Sequence, residues 1–167
     1  MNRLWAPWRK VYVTQKKKVK GCLFCNSFKS KNDKSNLVVS RSRHSFAMLN
    51  LYPYNNGHLM IVPVRHVDDL EKLNDSEIVD LNRHLISIKK LLKKTLKPDG
   101  FNIGMNLGRA AGAGITDHVH VHIVPRWAGD TNFMPVLSST KIISDSLESL
   151  YEQLTQANSK APGRTGR

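Results

Sequence analysis

Three imidazoles at alternate positions, in His118-Val119-His120-Val121-His122-Ile123-Val124-Pro125-Arg126, give this stretch a chemistry that the rest of the chain must serve. Neutral imidazole is a nucleophile and a metal ligand, and its protonated form donates hydrogen bonds to anions. Its ordinary pKa, about 6.5, leaves it substantially neutral at cellular pH, where it attacks well and departs well. The alternation with Val119, Val121 and Ile123 is the period-2 pattern of a half-buried strand. The aliphatic side chains then share one face. His118, His120 and His122 share the other, about 6–7 Å apart. With 7 histidines in 167 residues, this register arises by chance in roughly one such chain per hundred. The spacing marks a functional site.

A second chemical pair is Cys22-Leu23-Phe24-Cys25. Two cysteines at this spacing are half of a zinc site or a redox pair. Zinc needs two more ligands, a role histidine fills in Cys2His2 sites. Two thiols do not make a disulfide framework. The stretch Gly108-Arg109-Ala110-Ala111-Gly112-Ala113-Gly114, just before the histidines, is either a phosphate-cradling turn or a plain hairpin connection.

These residues need a scaffold, and the pattern supplies one. Leu37-Val38-Val39, Ser45-Phe46-Ala47-Met48-Leu49-Asn50 and His58-Leu59-Met60-Ile61-Val62 read as three strands, with Tyr52-Pro53-Tyr54-Asn55-Asn56-Gly57 as a loop. Asn74 and Glu77 resemble a capping box. The helix they open carries an apolar stripe of Ile78, Leu81, Leu85, Ile88, Leu92 and Leu96, and Pro98-Asp99-Gly100 ends it. His84 flanks the stripe as a surface or boundary residue, and Lys89, Lys90, Lys93 and Lys94 form a solvated side. Residues 101–107 are a fourth strand and the histidine stretch a fifth. Ile143, Leu147, Leu150 and Leu154 mark a C-terminal helix. The fold class is α+β, with a five-stranded, largely antiparallel sheet and a long helix between strands three and four.

The length of 167 residues suits one domain, assigned to residues 1–157, with 1–20 as an N-terminal arm and 158–167 as a flexible basic tail. Trp5 and Trp8 read as anchors that pack the arm on the body or on a partner. No apolar run nears the ~20 residues of a membrane span, and the first residues lack a signal core, so a cytoplasmic protein is expected. The net charge of +13 fits anionic partners or a solubilising surface. Nucleic acid is not expected as the partner, since no second DNA-binding motif is visible.

The triad with Pro125-Arg126 behind it, and the order of strands and helix, resemble the histidine triad (HIT) family of nucleotide hydrolases and transferases. Trp5-Ala6-Pro7-Trp8-Arg9 and the run from Asn106 through Pro135 are most similar to a bacterial branch that includes diadenosine tetraphosphate phosphorylases. The resemblance implies a HIT-like fold and a homodimer. It implies that His120 is the nucleophile, forming a nucleotidyl-histidine intermediate that phosphate or water resolves. His122 and His58 would donate to phosphate oxygens and orient the nucleophile. Asn106 would contact the α-phosphate, Asn50 the ribose, and Met48 and Met60 the base, with the Gly114 backbone completing the cradle. Cys22, Cys25, His66 and His118 would hold a structural zinc. A dinucleoside polyphosphate is the expected substrate; the alternatives are a purine nucleoside phosphoramidate, nucleotide binding without turnover, or, prompted by the net charge of +13 and the lysine-rich helix, interaction with nucleic-acid ends. Ala113-Gly114-Ile115-Thr116-Asp117 departs from the shorter segment that many members carry there.

Overall fold

The computed structural model describes residues 21–131 and 143–159 of the protein. The expected roles of Trp5 and Trp8, and the Phe133-Met134-Pro135-Val136 stretch, lie outside the described residues, as does the tail from Lys160. Among the described residues, five strands form one sheet: β1 (Val38–Arg41), β2 (Ser45–Leu49), β3 (Leu59–Pro63), β4 (Gly100–Gly104) and β5 (Val121–Arg126). Their order is β1-β2-β3-β5-β4 and every pairing is antiparallel. Three α-helices among the described residues accompany it: α1 (Leu23–Ser30), α2 (Asp75–Leu96) and α3 (Leu147–Ser159). This is the α+β architecture the sequence predicts. No helix among the described residues is long and apolar enough to cross a membrane.

The sheet separates two apolar layers. Leu49, Leu59, Ile61, Val119, Val121 and Ile123 pack with Leu81, Ile88 and Leu92 of α2 and Leu150 and Leu154 of α3. Phe46, Met48, Met60 and Val62 point the other way and pack with Phe24 of α1. β2, β3 and β5 are all buried on both faces; β2 and β3 read as largely apolar runs, whereas β5 alternates because one of its buried faces carries His122. Asn74 caps α2: its Oδ1 accepts the Glu77 N–H at 3.0 Å, and Glu77 Oε2 accepts the Asn74 N–H at 3.0 Å.

Three expectations change. Ile78 is 40% exposed, because the first turn of α2 directs Glu77 inward instead, to meet Arg65. His84 is buried: its Nδ1–H reaches Ser45 Oγ (2.8 Å), Ser45 donates onward to Asp80 Oδ2 (2.7 Å), and Ser40 Oγ lies 2.5 Å from Nε2. Serines on β1 and β2 supply partners that no helical periodicity reveals. The fourth strand ends at Gly104, and the fifth starts at Val121, since the Val119 N–H goes to the Val67 carbonyl (2.7 Å), ahead of the ladder. The sequence is silent on the segment around the cysteines, where Cys22 occupies the N-cap position of α1 and Phe24 and Phe28 turn inward one turn apart.

Two residues fix segments that flank His58 and His66. Gly57, at φ +76°, has room for no side chain: a Cβ would stand 2.6 Å from Leu96 Cδ1 and 3.0 Å from Pro125 Cγ. Gly57→Ala is expected to cost about 1–3 kcal/mol in urea unfolding; an unchanged midpoint would show that the end of α2 yields freely. Glu77 is held down to about 2, first by the Arg65 guanidinium (2.7 and 2.8 Å). A depressed carboxylate stabilises the fold above its unfolded range and loses that contribution as pH falls through the folded value. The stability gap between wild type and Glu77→Gln should therefore be full above about pH 5 and close by about pH 2; a gap constant with pH would refute this.

Candidate active site

The histidine face is assembled across the sheet. Met48 pairs with Met60, Met60 with His122, and His122 with Gly104, so one cross-strand row runs β2-β3-β5-β4. His118 and His120 lie on the segment leading into β5. All three are buried, as is His58 at the entry to β3. The rings converge: His120 and His122 are 4.8 Å apart and T-shaped, and the Phe24 ring lies 5.0 Å from His120 and 5.4 Å from His118.

Backbone groups fix where each proton sits. A carbonyl only accepts, so the 2.9 Å contact from His120 Nδ1 to the His118 carbonyl puts the proton on Nδ1 and the lone pair on Nε2. The Tyr54 N–H donates to His58 Nδ1 (3.0 Å), with the Asn50 amide 3.4 Å from the same atom. His58 must then carry its proton on Nε2, which donates to His122 Nδ1 at 2.9 Å. His122 in turn holds its proton on Nε2, a buried atom with no hydrogen-bond partner among the described residues. Burial, with the charge of His120 as a smaller cause, pushes His122 down to about 4, so it is neutral at cellular pH. Burial likewise lowers His120. The site thus presents a nucleophilic lone pair beside a buried N–H donor.

A second cluster adjoins it. Cys22 caps α1 and Cys25 sits in its first turn, which brings both sulfurs to one side. Cys22 Sγ is 3.3 Å and Cys25 Sγ 3.7 Å from His118 Nδ1; His66 Nδ1 is 3.4 Å from Cys25 Sγ and 3.3 Å from His118 Nδ1. All four donor atoms lie within 4.8 Å of one another. Metal bonds of about 2.0–2.3 Å give tetrahedral edges of about 3.3–3.8 Å, so the donor set fits a four-coordinate zinc ion. His118 Nε2–H donates to the Pro63 carbonyl (3.0 Å), leaving the Nδ1 lone pair to face the thiols. Without a cation, burial and the neighbouring Cys22 raise the Cys25 thiol; a coordinated metal reverses that preference.

Of the residues proposed from sequence, the structure brings together His58, His120, His122, Met48 and Met60, and separately Cys22, Cys25, His66 and His118. Asn50 is half-buried beside His58, where its Oδ1 accepts the Tyr52 N–H at 2.9 Å. Asn106 lies two residues past β4, in a loop. Gly114 is exposed, and the left-handed conformations of the preceding turn fall on Gly108 and Gly112. His58 has both ring nitrogens engaged, by Tyr54 and His122, so it reaches a phosphate only through His122. Two residues were not found from sequence. Phe24 carried a signal, as the buried aromatic between the cysteines; the Tyr54 backbone N–H carried none.

A family model described as HIT domain matches residues 31–129. The chain is 36% identical over 169 residues to an AP-4-A phosphorylase from Mycobacterium tuberculosis, covering 97% of this chain and 87% of that protein. It is 29% identical to an adenosine 5'-monophosphoramidase from Saccharomyces cerevisiae, covering 80% of each. Among solved structures, a hypothetical histidine triad nucleotide-binding protein from Sulfolobus tokodaii superimposes with a TM-score of 0.65 at 27% identity, covering 81% of this chain and 88% of that one.

Proposed function

The chain belongs to the HIT domain family, and on that premise we propose that it cleaves dinucleoside polyphosphates, diadenosine tetraphosphate in particular, at the α-phosphate. The observation that carries this reading is the proton arrangement at the triad: a lone pair on His120 Nε2 beside an N–H on His122 Nε2. The His120 lone pair attacks the α-phosphorus. The N–P bond forms as the bridging P–O bond breaks, and the leaving nucleotide departs with that oxygen. His122 Nε2–H donates to a phosphate oxygen, where a fixed donor stabilises developing charge. Phosphate or water then attacks the nucleotidyl-histidine and frees His120. The likeness to the phosphorylase favours phosphate. In this reading Met48 and Met60 border the base, Asn50 the ribose, and Asn106 and Gly114 the phosphates.

Cys22, Cys25, His66 and His118 hold a structural zinc ion, which has four protein donors and no open position for a substrate. The ion anchors α1 to the segment carrying the triad. A homodimer is also part of the reading, because β4 is an edge strand with exposed Ile103, and α2 exposes Ile78, Val79 and Ile86. The second reading, phosphoramidate hydrolysis by the same triad, is favoured by the likeness to the monophosphoramidase.

Incubation with diadenosine tetraphosphate, with and without inorganic phosphate, tests the activity. ATP plus ADP, formed only with phosphate, is the expected outcome; AMP plus ATP in plain buffer would make the protein a hydrolase. His120→Ala should lower kcat by about a thousandfold or more, with the fold intact. Substrate untouched by wild type in both buffers overturns the polyphosphate reading, and adenosine phosphoramidate is then the substrate to try. Metal analysis of purified protein should find about one zinc per chain, lost together with thermal stability in Cys25→Ser. A fully folded, metal-free wild type would defeat the zinc assignment.

A further inference from the structure

The turn at residues 54–58 supplies the N–H that orients His58, and one side chain ties that turn to the sheet. Asn55 is 6% exposed. Its Nδ2 donates to the Pro125 carbonyl (3.1 Å) and to Asp130 Oδ2 (2.7 Å). Asp130 is itself immobilised by the Arg126 guanidinium (2.6 and 2.8 Å) and the Trp127 N–H (3.1 Å). The Asn55 carbonyl accepts the His58 N–H (3.2 Å), closing the turn. Asn55 therefore joins the donor to His58 Nδ1 with the end of β5, three residues beyond His122.

We infer that Asn55 is a positioning residue for the reaction: by clamping this turn to β5 it fixes the proton polarity of the His58–His122 pair and keeps an N–H on His122 Nε2. Two neutral arrangements of the pair are possible. With the Tyr54 N–H against His58 Nδ1, only His58 can donate. Once that N–H drifts, His58 Nδ1 can take up a proton from water while His122 Nε2 gives one up. As the shared proton passes to His122 Nδ1, which then donates to His58 Nε2, His122 Nε2 is left facing the substrate with a lone pair. A lone pair there repels a phosphate oxygen and loses the stabilisation of the transition state. Substrate binding elsewhere on the sheet face is untouched.

The inference rests on the proposed phosphoryl chemistry, and its test separates the two. Asn55→Ala, and Asn55→Asp as a near-isosteric change that removes the donor, should lower kcat about 10–100-fold with KM within about threefold. In a His122→Ala background the same changes should alter kcat by less than about twofold, because the residue acts only through His122. Independent losses that multiply would overturn the proposal. Nitrogen-15 shifts of the histidine rings need no substrate: wild type should show His122 protonated on Nε2, and the Asn55 variants a mixture. His122 protonated on Nδ1 in wild type refutes the inference even if neither variant folds. Inactive wild type with the expected ring shifts refutes the polyphosphate reading and leaves the clamp standing.

Discussion

His118 is buried, and a buried imidazole with a backbone carbonyl beside it has three polar atoms to satisfy. The chain satisfies all three with different partners. Nε2–H goes to the Pro63 carbonyl at the end of β3, Nδ1 faces the cysteines and His66, and the carbonyl accepts the His120 Nδ1–H. One residue thereby ties the thiol cluster, the third strand and the proposed nucleophile together. Once Nε2 is committed to a carbonyl, Nδ1 has only a lone pair to offer the cluster. Once the His118 carbonyl holds the proton of His120, the reactive lone pair can only be on Nε2. The tautomers of this site are consequences of backbone position, which is less adjustable than any side chain.

Phe24 gives the same connection a steric component. It is fully buried between Cys22 and Cys25 and packs edge-on against His118 and tilted against His120. A shift of α1 would move the sulfurs and this ring together. The region around the Cys/His cluster is also braced from outside: Arg65, next to His66, bonds Glu77 at the first turn of α2 and the Lys72 carbonyl. The opposite apolar layer, where α2 and α3 cover the sheet, shares no side chains with the triad layer. Core packing and site geometry are thus set by side chains on separate faces of β3 and β5, joined through the shared strands and through Gly57, which adjoins His58 and packs on Leu96.

How much of this the sequence revealed follows from which interactions leave a periodic trace. The alternation at 118–123 sorted aliphatic and imidazole side chains to opposite sides correctly, although β5 starts only at Val121 and both sides are buried, and the three-four spacing from Leu81 to Leu96 found α2, because side-chain direction repeats with the geometry of the element. Spacing marked only Cys22 and Cys25 as half of a metal site, and the family resemblance supplied His66 and His118; the structure gathers all four donor atoms within 4.8 Å of one another. What stayed hidden has no period. His84 is buried because Ser40 and Ser45 happen to flank it, and Glu77 displaces Ile78 because Arg65 lies opposite. The Tyr54 N–H and the Asn55 amide act through a turn whose residue types read only as loop. Side-chain identity announces a catalytic imidazole; it does not announce the backbone group that decides which nitrogen carries the proton.

That distinction bears on how such a site can favour a transition state. Burial lowers His118, His120 and His122, so on the proposed reading the cluster would meet its anionic substrate as neutral dipoles, although the chain carries a net charge of +13. A cationic triad would attract substrate and transition state alike, and uniform attraction of that kind does little for turnover. It would also leave His120 without a lone pair. Neutral imidazoles contribute in another way: a fixed N–H strengthens its bond as charge builds on the oxygen it faces, and in a buried setting no water must first be reorganised. Long-range attraction of a polyphosphate can be left to exposed lysines and arginines, where salt screens it and the proton arrangement at the triad is undisturbed. On the proposed reading, the division between charged surface and neutral site is therefore what lets one chain attract an anion strongly and still attack it with an uncharged nucleophile.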